Sequence, residues 1–310
     1  MQTLRVHSPQ WRLTRSVSAR AIAGGRGPYL AFAAAGILAA LLWSYWTTLH
    51  GLFRDWRNDP NYSVGQLVPF AALYMLWNDR RTLSRLHFRP CQAGALLVIA
   101  AQILRAYGLF FLYESAERYA LVITVAGLFL WVGGREVFRE TRWILAFLWV
   151  MIPLPGRIHN LISAPLQSAA TAGAVFLLEL LGVTITREGH VVVLNDTITL
   201  AVAEACSGLR MLTAFVVVGC VLAYVVERPR WQKNCLILST IPVAILCNLI
   251  RLVITALMFL WVGGEWAERF FHDFAGWTMM PMAVLLLAAE LWVMSRLIVQ
   301  DRATPDSSFR

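Results

Sequence analysis

Apolar runs of about 20 residues, the length an α-helix needs to cross a bilayer core, recur along this chain with basic residues clustered between them. Inside hydrocarbon every backbone N–H and C=O must find a partner within the protein, so runs of this kind fold as helices. Eight spans fit the pattern, at 29–48, 64–77, 92–111, 119–133, 143–153, 207–226, 235–260 and 278–297. Two of them, 64–77 and 143–153, are short for a crossing. Only 15% of the 310 residues are charged, whereas a soluble domain carries about 25%. The fold class expected is an all-α polytopic membrane protein.

A ninth apolar piece, 162–182, follows "PLPGRIHN", whose proline–glycine break suits a re-entrant or interfacial helix. The arginines favour that reading. With eight crossings, one side of the membrane holds eighteen basic residues in the N-terminus, the loops 78–91, 134–142 and 227–234, and the C-terminal end. The other side holds six: Arg54, Arg57, Arg118, Arg157, Arg187 and Arg269. Basic residues collect in cytoplasmic loops, so both termini are expected inside, and the bias survives only if 162–182 does not cross. The net charge of +9 is thereby spent on orientation, and nucleic acid is not an expected partner; membrane lipids are. Residues 1–28 read as a basic cytoplasmic segment, 29–298 as one transmembrane domain and 299–310 as a short cytoplasmic tail, with no room after Leu297 for a fused accessory domain.

Between the ninth piece and residue 206 the periodicity changes. "GHVVVLNDTITLAV", Gly189 to Val202, is β-branched with Asn195-Asp196 at its middle. Asn and Asp tolerate left-handed backbone, so the stretch predicts a short extracytoplasmic β-hairpin. Its second strand leads into "AEACSGLRML", Ala203 to Leu212. Cys206 thus stands where a strand becomes a helix, followed by Ser207 and Gly208. Free amides at a helix start and the helix dipole lower a thiol's pKa and can hold an oxyanion. Ser-Gly also caps and packs helices, so a purely structural role stays open at this point. Arg210 lies one turn inside the span.

The other four cysteines, Cys91, Cys220, Cys235 and Cys247, fall in spans or a cytoplasmic loop, where a free thiol is a small apolar filler. No Cys-X-X-Cys pair, no His-Glu-X-X-His and no ligand cluster occurs, so neither a metal nor another cofactor is expected. Arg251, in "CNLIRLV", sits inside a hydrophobic helix 16 residues beyond Cys235, roughly 24 Å up. A charge there is either functional or paired with an acid such as Glu204. Arg105, Glu179 and Glu290 are further charges within apolar runs. His272, in "GEWAERFFHDFAGW", begins the last span next to Asp273. It is either structural or able to take a thiol proton and return it to a leaving amine.

In their order, "AEACSGLRML", "NLIRLV" and "FFHDFAGW", with "PLPGRIHNLISAPLQ" and the hairpin before them, resemble the exosortase/archaeosortase family over residues 90–298. The resemblance implies Cys206, Arg251 and His272 as catalytic residues, with Glu204, Ser207, Gly208, Arg210 and Asn248 supporting them. A histidine at the third place is similar to the bacterial branch. It also implies a cysteine transpeptidase or protease of the bacterial inner membrane, acting on its extracytoplasmic side. Its partners would be exported proteins bearing a C-terminal sorting signal: a Pro-Glu-Pro-type motif, a transmembrane helix and a basic cluster. The competing reading is a transporter or lipid-handling protein with a polar path lined by Arg105, Arg251, Glu179 and Glu290.

Overall fold

A computed structural model describes residues 27–188, 191–194, 198–201, 208–262 and 275–297. The chain forms two compact units, Met1–Leu49 and His50–Arg310. The first carries the apolar helix α1 (Gly27–Ser44), whose exposed Phe32, Leu38 and Trp43 suit a lipid surround. Helix α2 (Trp46–Asn58), which runs from the first unit into the second, is amphipathic and was not anticipated. It lies largely between the expected spans 29–48 and 64–77.

In the second unit a 3-10 turn (Ser63–Gln66) leads into α3 (Leu67–Asn78), and a four-residue helix α4 (Arg80–Leu83) follows. Helices α5 (Gln92–Phe110) and α6 (Glu114–Leu128) pack side by side, with Gln102 Nε2 donating to Thr124 Oγ1 at 3.1 Å. A π turn (Phe129–Gly133), α7 (Gly134–Phe147) and a 3-10 turn (Leu148–Met151) continue from α6. Four described helical runs are long and apolar enough to cross a membrane: Gln92–Phe110, Glu114–Met151, Gly156–Leu180 and Arg230–Trp261.

The second of these runs is folded back on itself. Gly134 has φ +82°, and a Cβ there would lie 2.1 Å from the carbonyl oxygen of Arg89, so glycine alone fits. The reversal returns the chain along α6, and Trp149 stacks on Tyr119 with ring centroids 5.4 Å apart.

Helix α8 (Gly156–Leu180) is one continuous helix of 25 residues containing Pro165. The non-helical residues 152–155 precede it, and the helix starts at Gly156, six residues before the expected piece 162–182. Three short strands follow, β1 (Ile185–Glu188), β2 (Val191–Leu194) and β3 (Ile198–Ala201), paired antiparallel in the order β1-β2-β3. Strands β2 and β3 pair with Val191 opposite Ala201 and Leu194 opposite Ile198. The turn at 195–197 lies outside the described residues. Strand β1 was not foreseen, because "ITRE" carries too little apolar alternation to announce itself.

Three helices complete the unit: α9 (Leu209–Val225), α10 (Arg230–Trp261) and α11 (Ala275–Leu297). Helices α9 and α10 run antiparallel, with Gly208 against Asn248 at one end and Ala223 clustered with Leu236 near the other. Leu287 of α11 joins that cluster, which also gathers Leu222, Ile237 and Leu291. Lipid tails are as apolar as these side chains, so close packing rather than escape from water holds them together. Ser239 Oγ donates to Glu290 Oε2 across the α10–α11 contact at 2.5 Å, which satisfies a carboxyl group inside an apolar helix.

Helix α10 is the longest element, 32 residues and about 48 Å at 1.5 Å per residue. Helix α9 stops beside Asn248, so residues 249–261 project past it. Along that projection α8 runs parallel to α10. Leu166 lines one cleft with Ala244 and Asn248, a Cβ on Gly173 would touch Leu249, and Leu178 clusters with Ala256. Val183 and Ile185, leading into β1, cover the same cluster.

Candidate active site at the Gly208 end

The site is assembled around the start of α9. Gly208 is its N-cap residue and adopts left-handed backbone, φ +78°. A Cβ there would meet Asn248 Nδ2 at 3.0 Å and Cγ at 3.4 Å. Both the dihedral and the neighbour therefore demand glycine. This turn is buried, and the Asn248 side chain that faces it is 1% exposed. The carbonyl of Gly208 accepts from Leu212 N at 2.8 Å, which starts the helix. The amides of a first helical turn have no carbonyl four residues back, so they are available to an anion.

Asn248 belongs to a polar stripe on α10. Cys247, Asn248, Arg251 and Thr255 are all buried, at spacings of three and four residues that put them on one side of the helix. Arg251 is 7% exposed. It lies 21 residues into α10, or roughly 31 Å from the helix start, against the shorter depth expected from a span starting at Cys235. The helix opens with the polar stretch Arg230 to Asn234, so the greater distance reflects an earlier helix start, and Arg251 is past the point where α9 ends. A small cleft lined by Leu166, Gly208, Leu212, Ala244, Ile245 and Asn248 opens between α8, α9 and α10 at the foot of this stripe.

The structure brings together Gly208, Asn248 and, one turn on, Arg251. Arg210 is exposed, so it lines the surface of the helix start rather than its core. Glu204, Cys206, Ser207 and His272 lie outside the described residues. Glu179, expected to be buried, is exposed near the end of α8. Glu290 pairs with Ser239, which is 12 residues from Arg251 on α10, or about 18 Å.

A second polar group near the same end was missed in the sequence. Tyr62 Oη and His159 Nδ1 are 2.7 Å apart and the rings meet edge to face. Thr213 Oγ1 donates to the carbonyl of Asn61 at 2.9 Å, and Trp56 Nε1 donates to that of Met151, also at 2.9 Å. Burial pushes the Tyr62 phenol up from 10.0 to about 12. Arg118, 7% exposed, bonds Asp55 at 2.7 Å and also pairs with Glu114. Apart from the i,i+4 pair Arg118–Glu114, the contacts join residues about 60 to 150 positions apart, which no local periodicity announces. Among the described residues no group of three or more His, Cys, Asp or Glu side chains could hold a metal.

The family model for transmembrane exosortases (Exosortase_EpsH) matches residues 56–289. The match includes every helix from α3 to α10, the sheet and the cleft at Gly208. No curated protein and no solved structure matches this chain. The chain belongs to the transmembrane exosortase family.

Proposed function

We propose that this protein is a membrane cysteine transpeptidase that cleaves the C-terminal sorting signal of exported proteins on the outer face of the bacterial inner membrane. The family is one of membrane proteins that act on exported substrates. In this reading the thiolate of Cys206 attacks the carbonyl carbon of a peptide bond following a Pro-Glu-Pro-type motif. The tetrahedral oxyanion is held by Arg251 and by amides at the start of α9. The C–N bond then breaks, and His272 gives the leaving amine the proton it took from the thiol. The signal's helix departs and a thioester on Cys206 remains. An amine, hydroxyl or water attacks that thioester and releases the thiolate.

The observation that carries the reading is the contact between Gly208 and Asn248. Gly208 follows Cys206 by two residues, a reach of at most about 7 Å between Cα atoms. Asn248 precedes Arg251 by less than one helical turn. The test is to co-express a signal-bearing substrate with the wild-type chain and with Cys206→Ala. Processing by the wild type and none by an equally abundant variant is the expected result. Full processing by Cys206→Ala removes the assignment.

A further inference from the structure

The lipid-facing side of the protein is not of even height. Helix α3 exposes Leu67, Phe70, Leu73, Tyr74 and Trp77, a strip of about 15 Å from first to last. Polar groups bound it closely. Gln66 is exposed before it, and Asn78 and Arg80 after it, with the Arg80 guanidinium 4.1 Å from the Trp77 ring centroid.

Helix α7, which contacts α3, is shorter still in apolar exposure. Arg135, Glu136, Arg139, Glu140 and Arg142 are all exposed over its first half, and the Arg142 guanidinium lies 6.0 Å from the Trp143 ring. Only the interval from Trp143 to Trp149 is both exposed and apolar, about 10 Å of helix. Helix α5 is different: Leu96, Ile99, Ile103, Tyr107 and Phe110 are exposed, covering about 21 Å. Arg105 lies within this interval but is half-buried, and the nearest charges flanking the helix are Arg89 and Glu114.

A hydrocarbon core is about 30 Å thick. Tilting cannot reconcile α3 and α7 with that thickness, because a tilted short helix covers less of it. Snorkelling arginines recover only the length of their own side chains. A further response to a short apolar strip, beside association between copies, is local thinning of the bilayer. We propose that the α3–α7 face holds the bilayer thin on one side of this protein, with Arg80 and Arg142 at the level of the lipid headgroups. The partner is the lipid itself, and the proposal is independent of which residue performs catalysis.

The full chain in nanodiscs of eighteen-carbon phosphatidylcholine, imaged by cryo-electron microscopy, tests this directly. The separation between headgroup layers should be smaller beside Trp77 and Trp143 than beside Ile99, by about 5 Å or more if the strip heights are followed even in part. Equal separations on the two sides overturn the proposal. A second measurement uses thermal stability in phosphatidylcholines of fourteen to twenty-two carbons. The wild type should be most stable in the shorter lipids. The variant carrying Arg139→Leu, Glu140→Leu and Arg142→Leu, which lengthens the apolar strip, should shift its optimum to longer chains. A wild-type optimum at the long end, or an unmoved optimum in the variant, overturns it as well.

Discussion

Replacing Gly208 by alanine tests the geometry on which the candidate site depends. Two costs add. A non-glycine residue at φ +78° loses about 1–2 kcal/mol. The new Cβ would also sit 3.0 Å from Asn248 Nδ2. Asn248 is 1% exposed and cannot swing into solvent, so it must shift within a packed interior, at about 1–2 kcal/mol. The total of about 2–4 kcal/mol is a large part of the stability of an ordinary domain. Relief by relaxing the turn would move Cys206 relative to Arg251, so processing should fall even in molecules that remain folded. The assay pairs thermal unfolding in nanodiscs with processing of a signal-bearing substrate, for Gly208→Ala, Asn248→Ala and the double variant. Removing the Asn248 amide relieves the contact but not the dihedral, so the double variant should be less destabilised than the sum of the single ones. Gly208→Ala with wild-type stability and wild-type processing would refute the reasoning. Strict additivity would remove the contact from it.

At Arg251, lysine keeps the charge but loses the planar fork that holds two oxygens. Arg251→Lys should therefore accumulate normally in the membrane and lose most processing, and normal processing would remove the bidentate role. Among the thiols, Cys91→Ala, Cys220→Ala and Cys235→Ala should process normally. Cys247→Ala should also process, after losing about 1 kcal/mol to a small cavity at a fully buried position; loss of processing there with retention in Cys206→Ala would transfer the nucleophile to Cys247. Tyr62→Phe should cost about 0.5–1.5 kcal/mol by deleting the bond to His159. Because burial raises the Tyr62 phenol from 10.0 to about 12, its contribution is complete below pH 10.0 and fades as pH climbs towards 12. Unfolding measured across that range should show a loss in the wild type that is absent from Tyr62→Phe.

The parts of this protein that could be read from sequence are those set by local repetition. The apolar runs that became α5, α6 and α10 were long enough to name their own helices. Val191–Leu194 and Ile198–Ala201 announced a strand pair through their β-branched residues. Gly208 was singled out by its place after Cys206-Ser207, although its left-handed turn became visible only with Asn248 beside it. The start of α8 lies earlier than the apolar run at 162 suggests, because proline and glycine at 155 and 156 open a helix as readily as they end another element. Helix α2 was lost among Arg54, Asp55 and Arg57, where an amphipathic pattern resembles a polar loop. The Tyr62–His159 and Arg118–Asp55 pairs join distant segments, so nothing near either residue marks its partner.

The length of α10 also fixes an order of events during synthesis. Its projecting end, residues 249–261, supplies Val253, Ala256, Leu257 and Leu260 to the cluster completed by Leu178 and Ile185. Helix α8 and the sheet are translated well before that end of α10 exists, so Val175, Leu178 and Val183 must wait with their apolar faces uncovered. The cluster closes only after α9 and the whole of α10 have been inserted. Arg251, carried on the same stretch, takes its place at that moment and not earlier. A ribosome stalled before residue 249 would leave Leu178 and Ile185 without the partners that this end of α10 brings.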